Sequence, residues 1–221
     1  MLSAIIVAAG SSRRMGFDKL MAPLAGIPVL QHSIQTFLLC PAVEELILVC
    51  PEERFAQLEL QPTDKPLIRV DGGADRHNSV SNGLAALSPN SRWVAVHDGA
   101  RPLITEKQIL STLAAAKDHQ AATSARRVTE TVKRADQNQF IQSPVDRENL
   151  WLMETPQIFD KSLLLKSYAN VESSGSLVTD EVSALELIGV PTFLQPNASP
   201  NLKITFPEDL ALAEHLLTFS A

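Results

Sequence analysis

Several things are scarce in this chain, and each shortage excludes a class of protein. Two of its 221 residues are cysteine, too few for a disulfide scaffold. Both, Cys40 and Cys50, sit in apolar runs and read as small buried hydrophobes. No Cys/His cluster has the spacing of a zinc site. A basic surplus is missing as well: 19 Lys+Arg face 25 Asp+Glu, a net charge of -6, which argues against a dedicated nucleic-acid binder. A small anionic substrate stays compatible, because a local basic site can sit on an acidic protein. No apolar run approaches the ~18 residues of a membrane helix. The apolar run near the start, residues 4–8, has no positive charge before it, so it reads as a buried strand and not as a signal-peptide core. These absences lead to the expectation of a soluble protein in a reducing compartment, the cytoplasm.

What is present is ordinary globular material, 45% hydrophobic and 20% charged. A chain of this length buries ~70% of its unfolded surface and needs no staple to fold. Short apolar runs at residues 5–7, 46–49, 67–70 and 93–96 predict strands. Residues 29–39 and 79–87 carry helical spacing, and Thr105 to Gln108 reads as a capping box opening a helix through Ile109, Leu110 and Leu113. Asn78 or Ser79 is placed to cap the second helix. Further on, Asp160 is placed to cap residues 163–169, Thr179 or Asp180 to cap 182–188 before Gly189, and Pro207 to open a last helix. Apolar strands alternating with helices predict a parallel sheet covered on both faces.

One stretch breaks the rhythm. Residues 126–147 read RRVTETVKRADQNQFIQSPVDR. Two polar runs, 128–134 and 140–144, flank a turn-like Ala135-Asp136-Gln137-Asn138, which predicts a two-stranded arm. An isolated ribbon is marginal in water, so the arm needs something to pack on, and another subunit is a natural candidate.

In a parallel sheet, ligands sit beyond the carboxyl ends of the strands. After the first strand come the small residues Ala8, Ala9, Gly10, Ser11 and Ser12, followed by Arg13, Arg14 and Lys19. Small side chains let backbone N–H groups approach an anion. The segment is neither a Walker loop nor a Gly-x-Gly-x-x-Gly fingerprint, and an anion site and an ordinary polar loop both fit it. After the third strand Gly72 and Gly73 permit close backbone approach. After the fourth, Asp98 is placed to meet a metal–phosphate or to serve as a turn residue, and His97 reads as a satisfied structural histidine. The segments 155–157, 179–181 and 201–205 read as later loops on the same rim, the last carrying Lys203.

Six segments taken together carry a resemblance: AAGSSRRM…K (8–19), DGG…R…SV (71–80), VHDGARP (96–102), VDR…LW…TPQ (145–157), TDExSALE (179–186) and NLKITxPEDL (201–210). In this order and spacing, from residue 3 to about 217, the chain resembles the 2-C-methyl-D-erythritol 4-phosphate cytidylyltransferase family. The first segment alone would mark the broad sugar-nucleotidyltransferase superfamily. The resemblance implies a Rossmann-like α/β nucleotidyltransferase fold over 1–221, with a mostly parallel twisted sheet and residues 127–147 as a protruding β-arm for dimerisation. It implies Mg2+-dependent transfer of CMP from CTP to methylerythritol phosphate, releasing pyrophosphate, in isoprenoid precursor biosynthesis.

By the same resemblance Ala8, Ala9 and Gly10 meet the nucleotide through backbone groups, and Arg14 and Lys19 act at the α-phosphate. Gly73 and Ser79 hold the cytosine and ribose end. Asp98 and Arg101 line the polyol site, with Asp98 near the metal. Thr179 and Lys203 position the polyol phosphate, and Thr131, Lys133 and Arg147 reach the site of the other subunit. Three departures stand out: Ser12 replaces a usual second glycine, the span from Met15 to Lys19 is short, and Ala74 stands where some members carry Asp. The chemistry suits these residue types. The acceptor phosphate is already an anion and needs no general base, so catalysis rests on positioning and charge stabilisation. Two other readings stay open at this stage: a ribitol 5-phosphate cytidylyltransferase and a non-catalytic dimeric nucleotide-binding module.

Overall fold

A computed structural model describes residues 1–10 and 16–220, with side chains to Thr218. In chain order the elements are β1 (Leu2–Val7), β2 (Pro23–Leu24), β3 (Ile27–Pro28), α1 (Val29–Leu39), β4 (Val43–Val49), α2 (Glu52–Phe55), β5 (Leu67–Val70), α3 (Arg76–Ala85), β6 (Trp93–Asp98), α4 (Glu106–His119), β7 (Ala121–Arg127), β8 (Lys133–Ala135), β9 (Ile141–Pro144), β10 (Trp151–Asp160), α5 (Lys161–Ser174), α6 (Glu181–Glu186), β11 (Phe193–Pro196) and α7 (Glu208–Ser220).

The central sheet has seven strands in the order β11-β7-β10-β6-β1-β4-β5. β6, β1, β4 and β5 run parallel, β10 runs antiparallel between β6 and β7, and β11 pairs parallel with β7. Strands in the middle of such a sheet are buried on both faces, which explains why they read as unbroken apolar runs. Ala4, Ile6, Leu46 and Leu48 face one way, into a core with Ile34 and Phe37 of α1 and Ile109 of α4. Ile5, Ile47, Val49, Val94 and Val96 face the other, against Val80 of α3, Leu164 of α5 and Leu185 of α6. The molecule is thus a sheet between two helical layers. Both cysteines are free and buried, and burial pushes the Cys50 thiol up to about 11, so it stays protonated. Among the described residues no helix is long and apolar enough to cross a membrane.

Several local expectations hold. Thr105 and Gln108 form the capping box of α4, and Asp160 Oδ1 accepts from the Ser162 N–H at the start of α5. Asp180, not Thr179, caps α6, accepting from Ser183 N at 3.0 Å. The cap of α3 is Asp75 rather than Asn78 or Ser79. Asn78 occupies the third helical position and accepts from the Asp75 N–H, while Ser79 turns inward. The arm is real but shorter than expected, β8 pairing with β9 as a separate two-stranded sheet. Phe140 and Ile141 at its tip are more than two-thirds exposed. The largest correction concerns residues 155–157. They are not a loop after a strand but the middle of β10, a central strand whose polar residues escaped a reading based on apolar runs.

Candidate active site

The site lies where β1 and β6 end side by side. The chain proceeds from β1 outward to β4 and β5, then returns to β6 on the other flank of β1. That reversal is the switch point at which open α/β sheets bind ligands. Val7 stands in register with Asp98, and the Gly99 N–H donates to the Val7 carbonyl at 3.0 Å. Small residues are needed here. A Cβ on Gly99 would lie 2.6 Å from Leu30 Cδ1 and 3.3 Å from Ala8 Cβ, and one on Gly72 would collide with the Ala9 Cβ. Squeezed between two glycine loops, the chain goes from buried Ala8 through Ala9 to an exposed Gly10, presenting backbone at the rim. Gly73 N donates to Ser79 Oγ at 3.0 Å, and that hydroxyl donates to the Asp75 carbonyl. Ser11, Ser12, Arg13, Arg14 and Met15 lie outside the described residues.

Asp98 is the electrostatic centre. Lys203 Nζ donates to its Oδ2 at 2.7 Å, Arg76 Nη2 to its Oδ1 at 3.3 Å, and Arg101 Nε stands 3.7 Å from Oδ2. Burial alone would raise its pKa. The positive charges of Arg76, Lys203 and Arg101 outweigh burial and hold the carboxyl far below the usual carboxylate range. Arg76 is in turn gripped by the fully buried Glu181, Nη1 to Oε1 at 2.6 Å and Nη2 to Oε2 at 3.1 Å. The Tyr168 hydroxyl donates to the same carboxylate at 3.0 Å. Burial, and then the charge of Glu181, push that phenol far above its ordinary range, so it remains a donor.

Chain remote in sequence closes the rim. Lys19 Nζ donates to the Ile204 carbonyl at 2.6 Å, next to Lys203, and Ile204 N donates to the Ala100 carbonyl. Arg101 Nη1 donates to the Asn201 carbonyl at 2.7 Å, and Asn201 Nδ2 to the Thr155 carbonyl at 2.7 Å. Arg101 Nε is buried and has no hydrogen-bond acceptor among the described residues. His97 is structural, as expected. Thr155 Oγ1 meets its Nδ1 at 3.0 Å, its ring packs 5.0 Å from that of Phe37, and burial pushes its pKa down to about 3.

Comparisons with known proteins show the family. The family model described as IspD, 2-C-methyl-D-erythritol 4-phosphate cytidylyltransferase, matches residues 2–219. The chain belongs to that family. It is 40% identical to the enzyme of that name from Caldanaerobacter subterraneus subsp. tengcongensis, over 98% of each chain. With the Haemophilus influenzae enzyme the identity is 41%, over 97% of this chain and 96% of the other. The crystal structure of 4-diphosphocytidyl-2C-methyl-D-erythritol synthase from Anaerococcus prevotii superposes with a TM-score of 0.86 at 30% identity, covering 98% of this chain and 96% of that one.

Of the cytidylyltransferase-type residues named from sequence, the structure brings together Ala8, Ala9, Gly10, Lys19, Asp98, Arg101 and Lys203. Gly73 stands on the neighbouring glycine loop, and Ser79, in the first turns of α3, accepts from its N–H. Thr179 is exposed at the foot of α6, where Gln157 of β10 donates to Asp180 at 3.0 Å. Thr131, Lys133 and Arg147 are exposed on the arm. Among the described residues, no hydrogen bond or ion pair ties these three to Asp98, Arg101, Thr179 or Lys203. The Arg147 guanidinium instead donates to the Thr129 carbonyl. For a metal, no three His, Cys, Asp or Glu among the described residues gather as a cage. A permanently ionised Asp98 does suit Mg2+, which takes one or two carboxylates and draws its other ligands from phosphate and water. The sequence reading assigned no role to Arg76, Glu181, Tyr168 or Arg54. Glu181 and Arg76 were visible only as letters within two motifs 105 positions apart.

Proposed function

We propose that this chain transfers CMP from CTP to 2-C-methyl-D-erythritol 4-phosphate, releasing pyrophosphate, as an enzyme of isoprenoid precursor formation in the cytoplasm. The observation that carries the reading is the meeting of Lys19, Asp98, Arg101 and Lys203 beside the backbone of residues 8–10 at the sheet's switch point. In the reaction an oxygen of the acceptor phosphate attacks the α-phosphorus of CTP. The new P–O bond forms as the bond to the bridging oxygen breaks, and pyrophosphate leaves with the electron pair.

No side chain need take a proton, because the attacking oxygen is already anionic. The backbone of residues 8–10 meets the triphosphate: the Ala8 N–H is held by the Val49 carbonyl at 2.8 Å, so the N–H groups of Ala9 and Gly10 are the donors, while Gly73 and Ser79 hold the base and ribose. Arg14 and Lys19 stabilise charge growing at the α-phosphorus. Asp98 is the residue that would hold Mg2+, which supplies charge neutralisation on the triphosphate. Arg101, Thr179 and Lys203 receive the polyol phosphate. Thr131, Lys133 and Arg147 complete the site from the arm of a second copy, making the working unit a homodimer with 127–147 as the bridge. The partners are thus small molecules and a second copy, without nucleic acid or membrane.

Pyrophosphate release with CTP and either methylerythritol phosphate or ribitol 5-phosphate tests the reading. The expected result is turnover with CTP and the former, at least tenfold faster than with UTP, since a pocket built around one base edge leaves polar groups unpaired against another. Preference for ribitol 5-phosphate, or no turnover at all, refutes it.

A further inference from the structure

Arg54 is a charged residue in an unusual place. It belongs to the single-turn α2 after β4, yet is only 8% exposed. Among the described residues, every hydrogen bond of its guanidinium goes to one segment, the chain between β1 and Lys19. Nε and Nη2 donate to Asp18 Oδ2 at 2.9 and 2.8 Å, Nη2 reaches the Gly10 carbonyl at 3.3 Å, and Nη1 donates to the Ala8 carbonyl. One planar fork therefore ties the entry of the nucleotide loop to its exit. Asp18 passes the constraint on, its Oδ1 accepting from Leu20 N at 3.1 Å.

Two physical consequences follow. In a trans peptide the N–H points opposite to the preceding C=O. Holding the Ala8 carbonyl on Arg54 therefore aims the Ala9 N–H away from Arg54. Burying a guanidinium is also costly unless its donors are satisfied, and here the loop supplies the acceptors. Its charge is met by Asp18 at 2.8 Å. Only arginine offers several coplanar donors; lysine brings the same charge without the fork.

We propose that Arg54 is a positioning residue of the nucleotide site, holding the backbone of residues 8–10 and Asp18 in the geometry that receives CTP. The proposal rests on the functional reading above, in which those backbone groups bind the triphosphate. Its test uses Arg54→Lys, Arg54→Met and Asp18→Asn in the full-length protein, with KM measured separately for CTP and for the polyol phosphate, kcat at saturation, and thermal unfolding. Loss of the charge-assisted bonds to Ala8, Gly10 and Asp18 is expected to raise KM for CTP roughly 10- to 100-fold in both Arg54 variants. Asp18→Asn should raise it several-fold. KM for the polyol phosphate should stay within about twofold, a split that loss of stability alone would not produce. If the Arg54 variants do not fold, Asp18→Asn, at a partly exposed carboxylate, carries the same comparison. A KM for CTP within about twofold of wild type in Asp18→Asn and in a folded Arg54 variant overturns the proposal. So do a parallel rise in both KM values and an Arg54→Lys variant equal to wild type. A wild-type protein that does not turn over CTP overturns the functional reading first, and the role of Arg54 with it.

Discussion

Replacing Arg76 by methionine tests the electrostatic frame of the site. The Glu181 carboxylate is fully buried and holds Arg76 through two hydrogen bonds, with the Tyr168 hydroxyl donating a third. Methionine fills much of the arginine stem but leaves Glu181 with the Tyr168 hydroxyl alone. Removing one partner of a buried pair costs ~3–5 kcal/mol, because the remaining charge is stranded. The Arg76 side chain is 27% exposed, which places the loss near ~3 kcal/mol. For a domain of this size that corresponds to a fall in Tm of roughly 6–12 °C. Urea unfolding followed by circular dichroism measures it. Glu181→Gln keeps an acceptor for Arg76 and should cost less, about 1–2 kcal/mol. The double variant Arg76→Met/Glu181→Leu removes both charges and should recover much of the loss, giving a coupling of at least ~1 kcal/mol in the cycle. An Arg76→Met protein within ~0.5 kcal/mol of wild type, or a double variant that is simply additive, would show that the pair is not the strut described here.

Lys19→Ala and Arg14→Ala are each expected to lower kcat by ~10²–10³ with a smaller change in KM and no loss of folding; steady-state kinetics at saturating CTP and Mg2+ check this, and turnover within ~3-fold of wild type removes the role. Arg147→Ala and Lys203→Ala homodimers should both be nearly inactive, but mixing with subunit exchange should restore ~25% of wild-type activity, since half the dimers are mixed and one of their two sites is intact. Exchange shown by mass spectrometry without recovery would mean that the arm serves its own chain. For His97 the folded pKa lies below the unfolded one. Its contribution is therefore present above about pH 6.5 and is lost as pH falls toward about 3, where the unfolded chain takes up a proton that the native state refuses. At pH 5.5 the wild type should have lost ~1.4 kcal/mol relative to pH 7.5 from this group, and His97→Gln should show a correspondingly flatter pH profile of urea unfolding.

The centre of the sheet was legible in the amino-acid sequence, and an anion site at its edge was one of two readings the residues allowed. β1, β4 and β6 are legible because burial on two faces demands unbroken apolar runs, and the cap of α4 is legible because Thr105 and Gln108 interact locally. The small residues from Ala8 to Gly10 fitted an anion site or a polar loop, and the roles of Asp98 and Lys203 were implied by the family resemblance of the motifs around them. Burial alone left β10 invisible. Its residues 154–157 are polar and include a proline, yet they form a central strand, because Asn197 and Asn201 satisfy Glu154 and the Thr155 hydroxyl serves His97 and the Asp98 N–H. Those partners lie more than 40 positions away. The same holds for Arg76 with Glu181, for Lys19 with the Ile204 carbonyl, and for Arg54 with the Gly10 carbonyl. Apolar spacing reports how each residue meets the core, but which charge meets which depends on the order of strands in the sheet. That order, set by long-range pairing that local patterning does not encode, puts the ends of β1 and β6 side by side.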